Sequence, residues 1–202
     1  MREKERTIAN KDAELVSSCK KGNIDAFEVL VKKYQKSMLN TAYRMVGNYE
    51  DACEIVQDAF FSAYKSIKNF KEKASISTWL SAIVINLSRN HLKQMKIQRN
   101  REAFSIDAPV LTDEGKINVE PGSNELSVLE KLEKKDVQQK VQGCINSLHN
   151  EFKEVLVLRD IQGFSYDEIS DMLKMPEGTV KSRLSRARYA LKDCLKKVTG
   201  EL

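Results

Sequence analysis

Apolar residues recur at helical spacing through most of the chain, and the pattern breaks only at a few glycines and prolines. From the N-terminal end, "DAELVSSCKKG" predicts a first helix stopped at Gly22, and "IDAFEVLVKKYQKSMLNTAYRMVG" a long amphipathic helix stopped at Gly47. "NYEDACEIVQDAFFSAYKSIKNF" and "SISTWLSAIVINLSRNHLKQMK" continue the same period, so residues 10–98 read as one block of about four helices. A second block over 132–198 holds "VQGCINSLHNEFKEVLVLRDIQGF", then "SYDEISDMLK", then "MPEGTVKSRLSRARYALKDCLKKV". The predicted class is all-α, with two helical domains.

The break between the blocks, residues 99–131, changes character. Its stretch 105–130 carries two of the chain's three prolines, Pro109 and Pro121, and six acids against one base, Lys116. That composition predicts an acidic flexible linker rather than a packed element.

Two helical faces carry candidate chemistry. In 178–188, "GTVKSRLSRAR", a wheel at about 100° per residue gathers Val180, Leu184 and Ala187, with Leu191 beyond, on one arc. Ser182, Ser185 and Tyr189 lie nearly opposite with Arg186 beside them, and Lys181, Arg183 and Arg188 flank the apolar stripe. A helix lying in a DNA major groove needs this layout: cations on its shoulders for phosphates, short polar groups and an arginine at its centre for base edges. Residues 174–197 hold eight bases and two acids. Just upstream, Ser165 and Glu168 are spaced as a capping box for a short helix with Ile169, Met172 and Leu173 on its apolar face. A turn at 174–176 then leads into the basic helix, which is the order of a helix-turn-helix. A left-handed conformation in that turn is costlier for Lys174 than for glycine.

The second face is in residues 50–67. Ala52, Val56, Ala59, Phe60, Ala63 and Ile67 share one side, while Glu54, Gln57, Asp58 and Phe61 share the other. An aromatic ring among acids on a polar side suits either a protein interface or packing on a neighbouring helix. Downstream, residues 70–94 mix Lys71, Lys73, Arg89 and Lys93 with Phe70, Trp79 and short polar side chains, the ingredients of a single-stranded DNA pocket. Trp79 is read mainly as a packing residue.

Composition narrows the classes. With 202 residues, 41% of them hydrophobic, and a net charge of +5, the chain is globular and only mildly basic. Cys19, Cys53, Cys144 and Cys194 are scattered singly with two histidines, which predicts reduced thiols and neither a disulfide nor a metal site. No leader-like apolar core and no run of about 18 apolar residues is present, so a soluble, cytoplasmic protein is expected. No GxxxxGK loop, HExxH or nucleophile elbow occurs, so no enzyme activity and no cofactor are expected. Acid count alone leaves a carboxylate-metal nuclease open, though no acid cluster has the spacing for one. A helix-turn-helix alone suits a repressor as well as other DNA readers.

The segment "HNEFKEVLVLRDIQGFSYDEISDMLKMPEGTVKSRLSRARYALK" closely resembles region 4 of the extracytoplasmic-function (ECF) sigma factors of the sigma-70 family. "EDACEIVQDAFFSAYKSI" resembles region 2.2 of that family, and "ASISTWLSAIVINLSRN" is similar to regions 2.3 and 2.4. The resemblance spans nearly the whole chain and includes no region 1.1 or globular region 3. It implies a subunit that directs bacterial core RNA polymerase to promoters and assists their melting. Its usual setting is a stress response, commonly under an anti-sigma factor.

Residue by residue, the resemblance implies upstream (−35) element contacts from Lys181, Ser182, Ser185 and Arg186, with Arg183 and Arg188 as flanking cations and Tyr166 and Glu168 near the backbone. It implies a pocket for a flipped base of the downstream (−10) element at Phe70, Ala74, Ser75 and Asn86, with Asn90 as a duplex contact. Asp51, Glu54, Ile55, Gln57, Asp58 and Phe61 would meet the polymerase, whose largest-subunit clamp helices and flap are the implied docking points. Cys53 stands where an acid or other polar residue is common. The linker would thread polymerase channels or serve as a solvated tether.

Overall fold

A computed structural model describes residues 12–104 and 128–200. All regular structure there is helical: α1 over 12–20, α2 Ile24–Val46, α3 Tyr49–Ser66 with a short 3₁₀ turn Ile67–Asn69, α4 Ile76–Phe104, α5 Val128–Asn146, α6 Asn150–Leu156, α7 Tyr166–Leu173 and α8 Glu177–Thr199. The part of the expected linker over 105–127 lies outside the described residues. Both of its ends are helical, since α4 runs on to Phe104 and α5 begins at Val128.

Local signals set these boundaries. Asn23 caps α2 by accepting from the Ala26 amide, and Gly47 ends it in the left-handed region at φ 82°. Asn48 immediately caps α3 through the Asp51 amide, so the chain reverses between α2 and α3 within two residues. Gly47 is constrained a second time, because a Cβ there would come within 2.3 Å of Asn146 in α5. Ser75 starts α4, its hydroxyl accepting from the Thr78 amide at 3.0 Å.

The first core lies between α1, α2, α3 and α4 and is filled by Leu30, Met38, Ala42, Ala52, Ala59, Ala63, Leu80 and Val84 among others. The alanines of α3 let it run close to its neighbours. A second core joins Ile145, Leu148, Val155, Leu156, Leu158, Ile169, Val180 and Leu184 to two residues of the first block, Met45 and Ile85. The two blocks are therefore packed on one another.

Polar groups seal the same seam. The Gln142 Oε1 accepts from Arg44 at 2.9 Å, Ser37 donates to Gln162 at 2.8 Å, and buried Lys153 donates to the Met45 carbonyl at 3.2 Å. Burial pushes the Lys153 ammonium below its ordinary pKa. Its site at the carboxyl end of α2 nevertheless suits a cation.

Candidate nucleic-acid and polymerase interface

The helix-turn-helix is built as the sequence predicts. Ser165 and Glu168 make a reciprocal capping box at the start of α7, and only three residues separate α7 from α8. Lys174 takes the left-handed conformation at φ 52°, ψ 49°, and its amide bonds the Ser170 carbonyl. The Ser170 hydroxyl in turn donates to the Met175 carbonyl at 2.6 Å. The ring of Tyr166 lies between two cations, with the Arg159 guanidinium 4.7 Å and the Lys181 ammonium 5.3 Å from its centre.

On α8, Val180, Leu184 and Ala187 are buried, whereas Lys181, Ser182, Ser185, Arg186, Arg188 and Tyr189 are exposed. The shoulder cations are held in place. Lys181 pairs with Glu177, which raises its pKa; Arg183 pairs with Glu151 at 2.6 Å; Arg188 grips Asp160 with two bonds of 2.9 and 2.6 Å. Among the described residues, Ser185 and Arg186 have no internal partner. The centre of the outward face is left open while its edges are oriented.

On α3, Glu54, Gln57, Asp58 and Phe61 share the exposed side, and Phe61 is 59% exposed with Lys65 stacked 3.9 Å from its ring centre. Asp51 is half-buried and its carboxylate is 3.1 Å from the His91 imidazole. Ile55, expected on the polymerase side, is buried at 5% and belongs to the first core. α3 packs against both α2 and α4, so its buried arc is wider than one apolar stripe. Beside Phe61's face, Val31, Leu39, Cys53, Val56, Gln57 and Phe60 line an apolar groove of about 400 Å³ between α2 and α3.

The start of α4 carries the remaining set. Ala74, Ser75, Asn86 and Asn90 are exposed. Phe70 is buried, its ring 4.9 Å from that of Trp79, so it floors the site instead of standing free in it. Two groups of the second block fill this edge. Thr78 donates to Glu168 at 2.9 Å, and Arg89 clasps Glu154 with bonds of 2.8 and 2.6 Å. Arg89 also reaches Asn86 at 3.5 Å, and its pKa is raised by the Glu154 carboxylate. Burial pushes the Glu168 carboxyl up, but the Ser165 amide, the Thr78 hydroxyl and the Ser165 hydroxyl outweigh it and hold the group below its usual range.

Sequence reasoning missed Glu154, Lys153 and Gln142 as members of this seam. It also expected four reduced cysteines. Cys144 of α5 and Cys194 of α8 instead form a disulfide, 50 residues apart in sequence, with Cα atoms 5.7 Å apart; Cys19 and Cys53 are free. Single, widely spaced cysteines carry no sequence sign of pairing, because only the packing of α5 against α8 brings these together. Among the described residues no group of three or more His, Cys, Asp or Glu side chains is placed to hold a metal, and no helix is long and apolar enough to cross a membrane.

Two buried-face helices closing a DNA-reading turn, joined to a helical block with a ring-and-acid face, define the two domains of a promoter-recognition subunit. The family descriptions agree: "Sigma-70 region 2" matches residues 30–96 and "Sigma-70, region 4" matches residues 138–191. The RNA polymerase sigma-H factor of Pseudomonas aeruginosa is 31% identical over 194 residues, covering 94% of this chain and 96% of that protein. The ECF RNA polymerase sigma-E factor of Escherichia coli K12 is 33% identical over 183 residues, covering 89% and 92%.

Among solved structures, CnrH in complex with the cytosolic domain of CnrY matches with a TM-score of 0.63 at 22% identity, covering 93% of this chain and 98% of that one. The sigma factor RpoE of Bartonella quintana, solved with the anti-sigma factor NepR, matches at 0.62 and 23%, covering 84% and 96%. The chain belongs to the sigma-70 family and is an ECF sigma factor with region 2 and region 4. Such factors initiate transcription by binding and catalyse no reaction.

Proposed function

We propose that three surfaces divide the work of this sigma factor in the cytoplasm. The exposed side of α3, with Glu54, Gln57, Asp58 and Phe61 at its centre and Asp51 at its edge, docks on the clamp helices of the polymerase's largest subunit, while region 4 meets the flap. The outward face of α8 reads the upstream promoter element as duplex: Ser182, Ser185 and Arg186 meet base edges, and Lys181, Arg183 and Arg188 meet phosphates, with Tyr166 and Glu168 near the backbone. The start of α4, with Ala74, Ser75, Asn86 and Asn90 over a floor made by Phe70, holds a flipped base of the melted downstream element.

The observation that carries this reading is the open centre of α8: Ser185 and Arg186 are exposed and uncommitted while the cations beside them are paired. A stand-alone repressor accounts for that helix and leaves the Phe61 face without a use. The packing of region 4 on region 2 supports a resting state in which Glu168 and Glu154 occupy the edge of the downstream-element site, and polymerase binding opens the seam. An anti-sigma protein would add to the same masking.

Run-off transcription with core polymerase on fragmented host DNA tests the reading. New start sites that require this protein, and that vanish with Phe61→Ala and with Arg186→Ala, support it. Duplex binding without any binding to core polymerase would overturn it in favour of the repressor.

A further inference from the structure

Region 4 is a short segment whose small core is completed in part by Met45 and Ile85 of region 2, and units of that size are marginally stable without a covalent or metal staple. Among the described residues it has one: the bond between Cys144, 1% exposed near the end of α5, and half-buried Cys194 in the second half of α8. The bond ties the first helix of the unit to its last, closing a loop that contains α6, α7 and the reading half of α8.

α5 is also one of the helices that meet region 2. Gln142, two residues before Cys144, bonds Arg44, and Asn146, two residues after it, lies over Gly47. The position is thus central both to the fold of region 4 and to the seam.

We infer that Cys144 and Cys194 form a thiol–disulfide exchange site, taking a low-molecular-weight thiol and its disulfide as reactants, that sets how firmly region 4 holds α8. This deepens the reading above and rests on α8 being the upstream-element reader. In the reductive direction a thiolate attacks the more accessible sulfur, Cys194 Sγ. The S–S bond breaks, a mixed disulfide forms on Cys194, and Cys144 leaves as a thiolate that takes a proton. A second thiol attacks the outer sulfur of the mixed disulfide, releasing Cys194 as a thiol and one small-molecule disulfide. Two electrons pass from the two small thiols to the protein, and the reverse sequence restores the staple.

In the oxidised form the unfolded state of region 4 is constrained by a long closed loop; in the reduced form that constraint is gone. The stability of the unit, and with it the fraction of chains presenting a folded α8, follows the thiol pool.

The test equilibrates the full-length chain with glutathione and glutathione disulfide at a series of ratios. Alkylation after denaturation, followed by mass measurement, is expected to show two free thiols, Cys19 and Cys53, at the oxidising end and four at the reducing end. The melting midpoint is expected to fall by about 10 °C or more on reduction. A few degrees above the reduced midpoint, where about a tenth of the unit is folded, affinity for a promoter duplex pool enriched on oxidised holoenzyme should fall about tenfold. Cys194→Ser should show the low midpoint at every ratio. Four alkylatable thiols at every ratio, or a pair that forms without moving the midpoint, overturn the inference. A midpoint that follows the ratio while neither form binds duplex removes the role of α8 and leaves the exchange site standing.

Discussion

Thr78 and Glu168, 90 residues apart in sequence, are joined by a 2.9 Å hydrogen bond from the threonine hydroxyl to the carboxylate. Thr78 belongs to the edge of the proposed downstream-element site, and Glu168 caps the first helix of the helix-turn-helix. One carboxylate therefore completes the local fold of region 4 and covers part of region 2. Together with the Arg89–Glu154 pair it links the two proposed DNA-reading surfaces, which on that proposal would separate for each to reach its own stretch of promoter.

Glu154 is almost fully buried, with a side chain 4% exposed, and Arg89 is its charged partner. Arg89→Ala would leave that carboxylate buried and unpaired, which costs about 2 kcal/mol or more. Because the pair spans the seam, the expected result is an open chain rather than an unfolded one. Small-angle scattering should show a larger radius of gyration, and hydrogen exchange should rise along α6 and the start of α4. A variant as compact as the parent would show that the apolar seam around Met45 and Ile85 suffices to hold the units together.

Lys174 sits in the left-handed region at φ 52°. A side chain there carries a backbone penalty that glycine lacks. Lys174→Gly is expected to stabilise region 4 by about 1 kcal/mol, raising its melting midpoint by several degrees. The lysine is exposed, so no packing is lost in exchange. A lower midpoint would mean that glycine's greater freedom in the unfolded chain outweighs the relief of strain.

How much of this was legible in the sequence depends on how far apart the interacting groups lie. The capping box of Ser165 and Glu168, the left-handed strain at Lys174, the stops at Gly22 and Gly47, and the buried stripe of Val180, Leu184 and Ala187 each depend on residues within one or two helical turns. Periodicity and capping rules read such features directly. Ile55 is placed at the polymerase by the family resemblance and not by the helical wheel, on which it falls beside the buried Ala52 and Ala59, where the structure also puts it. The contacts of Thr78 with Glu168, Gly47 with Asn146, and Cys144 with Cys194 depend on how whole helices pack. No local rule encodes them. The open face of α8 could be read residue by residue, and so could the i,i+4 pair of Glu177 with Lys181, but Glu151 and Asp160, which occupy Arg183 and Arg188, could not.

The Glu168 carboxyl is held below its usual pKa in the folded protein, so it binds fewer protons there than in the unfolded chain over the interval between the two values. Its contribution to stability is fully present above the ordinary carboxylate pKa and is lost as pH falls through the depressed folded value. The parent should therefore lose stability below about pH 4.5, and Glu168→Gln should flatten that part of the profile. The substitution also weakens the capping box, so the variant's midpoint at neutral pH should be lower by the equivalent of about 1 kcal/mol. Melting curves across the acid range check both effects. An unchanged acid slope in the variant would assign the acid sensitivity to other carboxylates.

Arg186 and Arg188 differ by two positions on one helix and should behave differently. Arg188 is already bonded twice to Asp160, so transferring it to a phosphate gives up an existing ion pair, whereas Arg186 gives up only water. Arg186→Ala is expected to weaken upstream-element binding by about 1–3 kcal/mol and to relax base preference at one position. Arg188→Ala should cost less, act nearly equally on all sequences, and lower the slope of log affinity against log salt by about one. Loss of the bond to Asp160 should also lower the melting midpoint of the Arg188 variant slightly, while the Arg186 variant keeps the parent's value. Binding of each holoenzyme to a randomised duplex pool at two salt concentrations separates base reading from phosphate contact. Equal losses and equal salt slopes for the two variants would place both arginines on phosphates and leave Ser182 and Ser185 as the base readers.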